Sequence, residues 1–536
     1  MHVPKQIAHH ISTNKLTLEH SIKYKRIEDD LMPKPKWKKN KKIILGKLGY
    51  SKLKQSIKKT LNTKRVELNE LYKTVNDDIL SGKNQDIIIT TKENGKKQWR
   101  LRPLEAGPDP NDSLLASFQQ RSIVDVIQFV DNKTKFTRAF ESILPKSKKG
   151  ELDATLTMAG VLANAIRMGV RKMAGISDLK EASLVTAEAA YIRTETLMEA
   201  ADIINNAAAK LPIYKEWYID AILHGSLDGL KLEINLRNIL ARHSSKFFGM
   251  GLGVSAYNEI VNCFPVAGYL IGTHDYEGNH SFEMVHHQNT SEIKPKKVST
   301  DKHGTNALNF GLFDFTDMIF APRIPKPHRE TIWSFGSAKD YEGMIIKPTK
   351  FVDEQLLIEE EDNIRHLVAS LLTGDSRPST IIRKLSSKYY RSKTKEAFVQ
   401  YNNIVKSQFL LLYLHNPEFR RAILVALNRG EEYNGLYRAI TLLKKGELRG
   451  GNEIEMEIWH QCTRLISTIM LYYSSYILNS LYLTAKDDEE RKFLIRASPC
   501  ARTHINLLGY YQFCDLLDGG LLDQWIKLWD WKQQLK

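Results

Sequence analysis

A run of strand-like sequence interrupts an otherwise helical chain between Gly225 and Ala267. In this run, β-branched and aromatic residues alternate with polar residues between glycines, which is typical of half-buried strands. Residues 151–211 before it show apolar side chains at the spacing of two or three packed helices, and helical spacing returns after Pro348. This order predicts a mixed α/β chain, in which a sheet domain has helical regions before it and inserted within it.

Changes in this pattern divide the 536 residues into five predicted parts. A chain of this length exceeds what one hydrophobic core can organise, so several domains are expected. The parts are a basic N-terminal segment at 1–70, a helical linker or scaffold domain at 71–215, the first part of the sheet domain at 216–345, a helical insertion at 346–420, and a helix with a C-terminal helical region at 421–536.

The chain is strongly basic, with 78 Lys and Arg against 62 Asp and Glu and a sequence pI near 9.3. Such a charge favours a polyanionic partner, either nucleic acid or an anionic membrane surface. Thirteen basic residues, and no acid, lie between Pro33 and Arg65. This block predicts DNA contact along the phosphate backbone, with a solvated helix face as the alternative. The predicted contacts are Lys36, Lys38, Lys39 and Lys42.

The segment Leu465 to Leu483 carries no charge over nineteen residues and approaches the length that spans a bilayer. Because it contains six Ser, Thr or Asn residues, we predict a buried core helix and no membrane partner. The four cysteines are scattered without a Cys-x-x-Cys pair, which indicates a reducing compartment rather than a disulfide framework. The N-terminal residues lack the pattern of a secretory signal, so a cytoplasmic protein is expected.

Three acidic residues stand where acids are uncommon or stand next to a change of secondary structure. Asp228 lies in a short strand-like run between glycines, where it is either a metal ligand or part of a turn. Asp301 follows an extended segment and precedes a helical pattern that starts near Asn306, so it is either a ligand or the N-cap of that helix. Glu431 lies in a helical segment after a glycine, where a solvent-facing side chain is the ordinary alternative.

Together, two Asp and one Glu could provide the converging oxygen ligands that paired divalent cations require for phosphoryl transfer. The residues alone do not establish that they converge. Six histidines between 243 and 303 are dispersed and lack thiolate partners, so a zinc site is not predicted.

Six short segments, taken in order, carry a more specific signal. They are Asp228-Gly229, Ala241-Arg242-His243-Ser244, Thr300-Asp301 with His303-Gly304-Thr305-Asn306, Phe320-Ala321-Pro322-Arg323, Leu427-Asn428-Arg429-Gly430-Glu431 with Asn434, and His504-Ile505-Asn506-Leu507. In content, order and spacing these segments resemble the catalytic part of the Tn3 family of replicative transposases. Weaker similarity to the family lies at residues 18–37 and 166–174.

The resemblance implies an RNase H-like catalytic domain with a helical insertion, in which Asp228, Asp301 and Glu431 hold two Mg²⁺ or Mn²⁺ ions. It also implies a DDE-type transposase that cleaves double-stranded DNA at transposon 3′ ends and joins those ends to target DNA. Such an enzyme is expected to act as a homodimer on DNA, associated with the bacterial nucleoid. Further candidate phosphate contacts are Lys231, Arg323 and Arg438.

Members of this family are usually longer, and the resemblance predicts that this chain lacks the N-terminal module that recognises terminal inverted repeats. Two other functions therefore stay open. The chain could be a non-catalytic remnant that binds DNA or dimerises with an intact copy, or an RNase H-like structure-specific nuclease. Magnesium-dependent cleavage separates the first alternative from a transposase, and strand joining separates the second.

Overall fold

The computed structural model describes residues 2–12, 16–21, 24–91, 97–104, 113–143, 152–234, 237–374, 376–387, 390–441, 451–513 and 520–535. The chain divides into two compact units, each built from three stretches. The first unit comprises Met1–Ala106, Tyr276–His287 and Lys296–Val425, and the second comprises Gly107–Asp275, Gln288–Pro295 and Ala426–Lys536. The five-part division of the sequence stays a prediction.

The first unit is mainly helical. Its α-helices are His2–Ser12, Lys34–Leu48, Ser51–Lys54, Ile57–Leu80, Ser281–Glu283, Asn309–Phe315, Glu354–Glu359, Glu361–Thr373, Pro378–Ser386 and Lys393–His415. Its strands form the pairs Ile87–Thr91 with Lys97–Leu101, Lys297–Thr300 with Ile319–Phe320, and Trp333–Ser334 with Lys350–Phe351. The first pair is antiparallel and the other two are parallel.

The helix Lys393–His415 organises the core of the first unit, because it packs against both Ile57–Leu80 and Asn309–Phe315. A buried ion pair joins the helices Ile57–Leu80 and Asn309–Phe315, because Lys64 Nζ lies 3.1 Å from Asp314 Oδ1. Although burial raises the pKa of Asp314, the neighbouring Lys64 and Lys52 hold it below its usual value. The carboxylate is therefore charged inside this core, and its lysine partners offset the cost of burial.

The second unit contains an antiparallel sheet and a helical core. The strand Leu252–Val261 lies between His224–Ile234 and Phe264–Gly272, and the short strand Arg242–His243 pairs with its beginning. A parallel pair forms between Arg121–Ser122 and Ile505–Asn506. The α-helices are Ser113–Ala116, Ile123–Thr134, Ala154–Ala165, Val170–Gly175, Glu181–Tyr191, Thr194–Ala208, Pro212–Glu216, Ser245–Phe248, Glu453–Thr484, Asp488–Ile495 and Gly520–Leu528.

Two helical elements have residues in both units, Met284–Gln288 and Pro417–Ile440. The second of these carries the predicted third acid. The presence of helices and sheets confirms the mixed α/β prediction, and the strand His224–Ile234 begins where the sequence pattern predicts the start of a sheet.

The prediction of two or three helices in residues 151–211 is wrong. Within the described part of this region the chain forms the four helices that begin at Ala154, Val170, Glu181 and Thr194. The additional break has a local cause, because Arg167 and Gly169 adopt positive φ angles of 64° and 78°. An α-helix cannot continue through that backbone conformation.

The helix Glu453–Thr484 confirms the prediction of a buried core helix at Leu465 to Leu483. It packs against Ala154–Ala165, Thr194–Ala208 and the strand Phe264–Gly272. Several of its hydroxyl groups are satisfied within the helix itself; for example, Thr468 Oγ1 donates to the carbonyl oxygen of Arg464 at 2.8 Å. In the described part of the chain, no helix has both the length and the apolar character that crossing a membrane requires.

Candidate active site

The strand His224–Ile234 carries Asp228 in the middle of the second unit's sheet. Asp228 is half-buried and lies opposite Asn258 in the antiparallel register. Leu227 and Leu230 on either side of it are 2 % and 3 % exposed, respectively. An acid at the centre of a paired strand is not part of a turn, so the turn interpretation of Asp228 is wrong.

A side-chain hydrogen bond joins Asp228 to the helix Pro417–Ile440. Asn434 Nδ2 donates to Asp228 Oδ2 at 2.8 Å, and Asn434 is 3 % exposed. A buried amide that donates to a carboxylate restricts its orientation. The helix therefore sets the direction of the Asp228 carboxylate.

The same helix approaches this strand through Gly430. A Cβ atom at Gly430 would lie 2.8 Å from Ser226 Oγ, which is closer than non-bonded contacts allow. A side chain at this position would force the Ser226 hydroxyl to move, so the absence of a Cβ atom lets the helix and the strand approach this closely. Ser226 and Asp228 thus face the first and last residues of the segment Gly430–Asn434.

Glu431 lies between these two contacts and its side chain is exposed. Residues three apart lie on the same face of a helix, about one turn from each other. Glu431 is therefore about one helical turn from the amide that holds Asp228. The structure brings Asp228 close to the segment that carries Glu431, and the joint role of these two acids stays a prediction.

Two neighbours of Glu431 fasten this part of the helix within the second unit. Arg429 Nη1 donates to the carbonyl oxygen of Trp217 at 2.6 Å and to Asn262 Oδ1 at 2.9 Å. Glu432 Oε2 accepts a hydrogen bond from Ser498 Oγ at 2.5 Å. These bonds fix the rotation of the helix about its axis, so that Glu431 stays on the exposed side.

A second carboxyl group on this sheet, Glu259, has a different character. It is fully buried, and Asn289 Nδ2 donates to its Oε2 at 3.1 Å. Burial raises the pKa of Glu259 to about 8, although the Asn289 hydrogen bond and Lys294 lower it. Glu259 is therefore mostly protonated at neutral pH, and it adds little negative charge to the sheet that carries Asp228.

Asp301 belongs to the first unit, directly after the strand Lys297–Thr300. It is exposed and precedes a 3-10 turn at Lys302–Gly304, whose backbone its side chain does not cap. The α-helix that follows begins at Asn309 rather than near Asn306. Asn306 Oδ1 accepts from the backbone N–H groups at its start, so the interpretation of Asp301 as the cap of that helix is wrong. The convergence of Asp301 with the other two acids stays a prediction.

The three predicted phosphate contacts differ in exposure. Arg323 is exposed and lies beside Asp301, since its backbone N–H donates to the carbonyl oxygen of Thr300 at 2.9 Å. Arg438 is exposed two turns after Glu431 on the same helix. Lys231 is half-buried, and its Nζ lies 3.0 Å from Ser255 Oγ. Since side chains alternate along a strand, Lys231 faces the opposite side of the sheet from Asp228.

The predicted DNA-binding lysines lie on the helix Lys34–Leu48 of the first unit. This helix is anchored by Trp37, which is 2 % exposed and whose Nε1 donates to Asp362 Oδ2 at 3.2 Å. All four predicted lysines are exposed: Lys36, Lys38, Lys39 and Lys42. Some other members of the basic block are paired. Four of them form ion pairs with acids of the same unit: Lys41, Lys52, Lys64 and Arg65.

Asn434 belongs to one of the sequence motifs but is not among the predicted site residues. The sequence signal that could have identified Asn434 is its spacing of three residues from Glu431, because that spacing places both side chains on one helix face. Arg429 and Gly430 also position the helix, through contacts with residues more than 160 positions earlier in the chain. Local sequence carries no signal for contacts of that range.

Comparisons with known proteins identify the family of this chain. The model of the family described as Tn3 transposase DDE domain matches residues 125–511. The chain is 27% identical over 510 residues to the transposase for transposon Tn2501 of Escherichia coli, which covers 92% of this chain and 49% of that protein. It is 25% identical to the transposase for transposon gamma-delta of Escherichia coli strain K12, with 74% and 40% covered.

The transposase for transposon Tn1546 of Enterococcus faecium is 24% identical over 532 residues, which covers 96% of this chain and 51% of that protein. The chain thus spans about half the length of the curated relatives it matches. The family match covers both Asp228 and the helix whose Asn434 holds it. This chain belongs to the Tn3 transposase DDE domain family.

Proposed function

We propose that this chain is the catalytic region of a DDE-type DNA transposase with an RNase H-like fold. Its reaction is the cleavage of DNA at transposon 3′ ends and their transfer to target DNA in replicative transposition. Asp228, Asp301 and Glu431 are its proposed metal-binding residues. The observation that carries the proposal is the hydrogen bond from Asn434 to Asp228, because Asn434 lies on the helix that also presents Glu431.

The donor set suits magnesium or manganese. Asp228 and Glu431 offer carboxylate oxygens, which hard divalent cations prefer. The amide of Asn434 orients the first carboxylate, as outer groups commonly orient metal ligands. The second carboxylate is exposed and is therefore accessible to an ion and to DNA. When two such ions are bound, they supply positive charge at the attacking and leaving oxygens.

The chemistry comprises two displacements at phosphorus. In the first, water attacks a phosphodiester and breaks the P–O3′ bond, which leaves a 3′-hydroxyl and a 5′-phosphate. In the second, that hydroxyl oxygen attacks a target phosphodiester, loses its proton and displaces the 3′-oxygen of the target strand. Arg323 and Arg438 are exposed and are proposed to bind the phosphates that flank the cleaved bond, which positions the DNA rather than reading its sequence.

Double-stranded DNA is the proposed partner, and a homodimer on DNA the proposed assembly, in the bacterial nucleoid. The exposed lysines of the helix Lys34–Leu48 are expected to add affinity that does not depend on base sequence. Those lysines equally favour a second candidate function, in which the chain binds DNA without cleaving it.

A nicking and strand-transfer assay with Mg²⁺ tests the proposal. Wild type is compared with Asp228→Asn and with Asp488→Asn, which makes the same chemical change at a side chain that is 84% exposed. Loss of a residue that hydrogen-bonds to a metal ligand typically lowers metal affinity or activity by about 10- to 100-fold. Loss of a ligand itself is therefore expected to lower the nicking rate by more than about 100-fold. DNA affinity should be nearly unchanged, because the variant keeps every side chain that is proposed to bind phosphate.

Each other outcome has a definite meaning. Equal nicking by wild type and Asp228→Asn would remove Asp228 from the mechanism. Nicking without strand transfer would identify a nuclease. DNA binding without nicking by the wild type would favour the non-catalytic function.

A further inference from the structure

Two cysteines and a glutamate from three distant parts of the sequence meet in the second unit. Cys263, Glu432 and Cys500 each place a ligand atom within 4.8 Å of the other two. Both cysteines are buried and Glu432 is half-buried. Because these residues lie far apart along the chain, their spacing predicts no common site, and only folding brings them together.

The backbone fixes where these side chains point. Asn262 and Cys263 form the two-residue turn between the strands Leu252–Val261 and Phe264–Gly272, with φ angles of 50° and 72°. Positive φ is uncommon for a residue with a Cβ atom, so the turn holds Cys263 in one defined direction. Cys500 follows the helix Asp488–Ile495, and Glu432 lies on the helix Pro417–Ile440.

We propose that Cys263, Glu432 and Cys500 bind one Zn²⁺ ion. Zinc accepts thiolate sulfur at about 2.3 Å and carboxylate oxygen at about 2.0–2.2 Å in a tetrahedral arrangement. Those lengths place neighbouring donors about 3.5–3.8 Å apart, which three atoms within 4.8 Å of one another can reach by small rotations. Three protein ligands leave the fourth position to water.

The surroundings supply the support that such a site needs. Ser498 Oγ donates to Glu432 Oε2 at 2.5 Å and accepts from the backbone N–H of Cys500 at 3.2 Å. This serine links two of the ligands and orients the carboxylate, as outer-shell partners of zinc ligands do. Two thiolates and one carboxylate exceed the charge of Zn²⁺ by one. The guanidinium of Arg429, bonded to Asn262 beside Cys263, offsets part of that excess.

A thiolate-rich donor set distinguishes this site from the proposed magnesium site. Soft sulfur ligands select zinc and related transition metals, whereas carboxylate oxygens alone suit magnesium and manganese. The zinc would tie a hairpin turn, the helix that carries Glu431 and the segment at Cys500 to one another. Binding of the ion would therefore stabilise the second unit, and it does not depend on the proposed transposase chemistry.

The site is tested on the full chain, freed of metal by a chelator and then titrated with Zn²⁺ and, separately, with Co²⁺. We expect one Zn²⁺ per chain, a rise in Tm on binding, and a thiolate-to-cobalt charge-transfer absorption. Cys263→Ser and Cys500→Ser should weaken Zn²⁺ binding by at least about 100-fold and abolish the cobalt absorption. Cys462→Ser is the matched control, since Cys462 is also buried but lies on the helix Glu453–Thr484.

Glu432→Gln keeps both thiols and the size of the side chain, so it serves if a cysteine variant fails to fold. It should weaken Zn²⁺ binding by at least about 10-fold while retaining some charge-transfer absorption. Asp228→Asn should retain both signals, which separates this site from the proposed active site. The proposal is overturned if the folded wild type shows no thiolate-to-cobalt absorption, if Cys263 and Cys500 are found joined in a disulfide, or if Cys462→Ser loses as much Zn²⁺ affinity as the other cysteine variants.

Discussion

The Asp228 strand and the basic helix Lys34–Leu48 hold their charged side chains in opposite ways. Asp228 is half-buried and oriented by the buried amide of Asn434. The predicted DNA-binding lysines of the helix are exposed, and only Trp37 and Leu45 are buried along it. Catalysis requires groups at fixed positions, whereas affinity for a polyanion is a sum over many separate charges. Substitutions in the first region should therefore have large local effects, and those in the second should have small additive effects.

The basic block itself contains both kinds of environment, and Lys64 should show the largest effect on stability. Its side chain is 6% exposed and pairs with Asp314, which is 8% exposed. Lys64→Met removes one member of a buried pair and should lower the free energy of unfolding by about 3–5 kcal/mol. Lys38→Met, at an exposed position of the same block, should change it by less than about 0.5 kcal/mol. Chemical denaturation measures both, and equal effects would contradict the difference in environment.

A buried histidine in the second unit should make stability depend on pH. Burial lowers the pKa of His504 from 6.5 to about 4. Between these values the unfolded chain binds a proton that the folded chain does not, so the free energy of unfolding falls as pH decreases from about 6.5 towards 4. The expected loss is on the order of 3 kcal/mol. The His504→Asn variant should lose less stability than wild type over this range, as measured by chemical denaturation at each pH. If the free energy of unfolding of both proteins falls in parallel with pH, His504 does not make this contribution.

Asn434 should show an effect on catalysis of intermediate size. Asn434→Ala removes the donor to Asp228 but no proposed metal ligand, so we expect nicking to fall by about 10- to 100-fold. Asn428→Ala is the control on the same helix, because Asn428 is exposed. A loss in Asn434→Ala as large as that in Asp228→Asn would indicate disruption of the helix rather than misorientation of one carboxylate. Circular dichroism of the variant distinguishes the two.

The exposed lysines should each have the smallest effect. Replacing Lys36, Lys38, Lys39 and Lys42 by Ala should reduce the slope of log affinity against log salt by about 0.9 for each phosphate that the variant no longer neutralises. Lys52→Ala is a comparison inside the block, since Lys52 Nζ lies 2.7 Å from Asp314 Oδ1. It should change the slope less than any exposed lysine does. An unchanged slope in the fourfold variant would identify a solvated helix face.

Several elements could be predicted from the sequence because their signals are local. The strand that begins at His224 and the core helix Glu453–Thr484 follow from apolar periodicity over ten or more residues. The predicted helix count between residues 151 and 211 is wrong because a turn at Arg167, with φ of 64°, carries no composition signal. Within the candidate site, the sequence identifies Asp228 and Glu431 as acids of interest but does not identify Asn434 as the donor that orients Asp228.

By itself, the sequence determined the family and the mixed α/β class, since residue type and order along the chain are sufficient for these; the three acids of the site stay its prediction. Tertiary structure decided which charges are available. It paired Lys64 with Asp314, left Lys38 exposed, and brought Cys263 to Cys500. The physical reason is that burial and pairing depend on contacts between residues far apart in the chain, and those contacts set the free-energy cost of every charge.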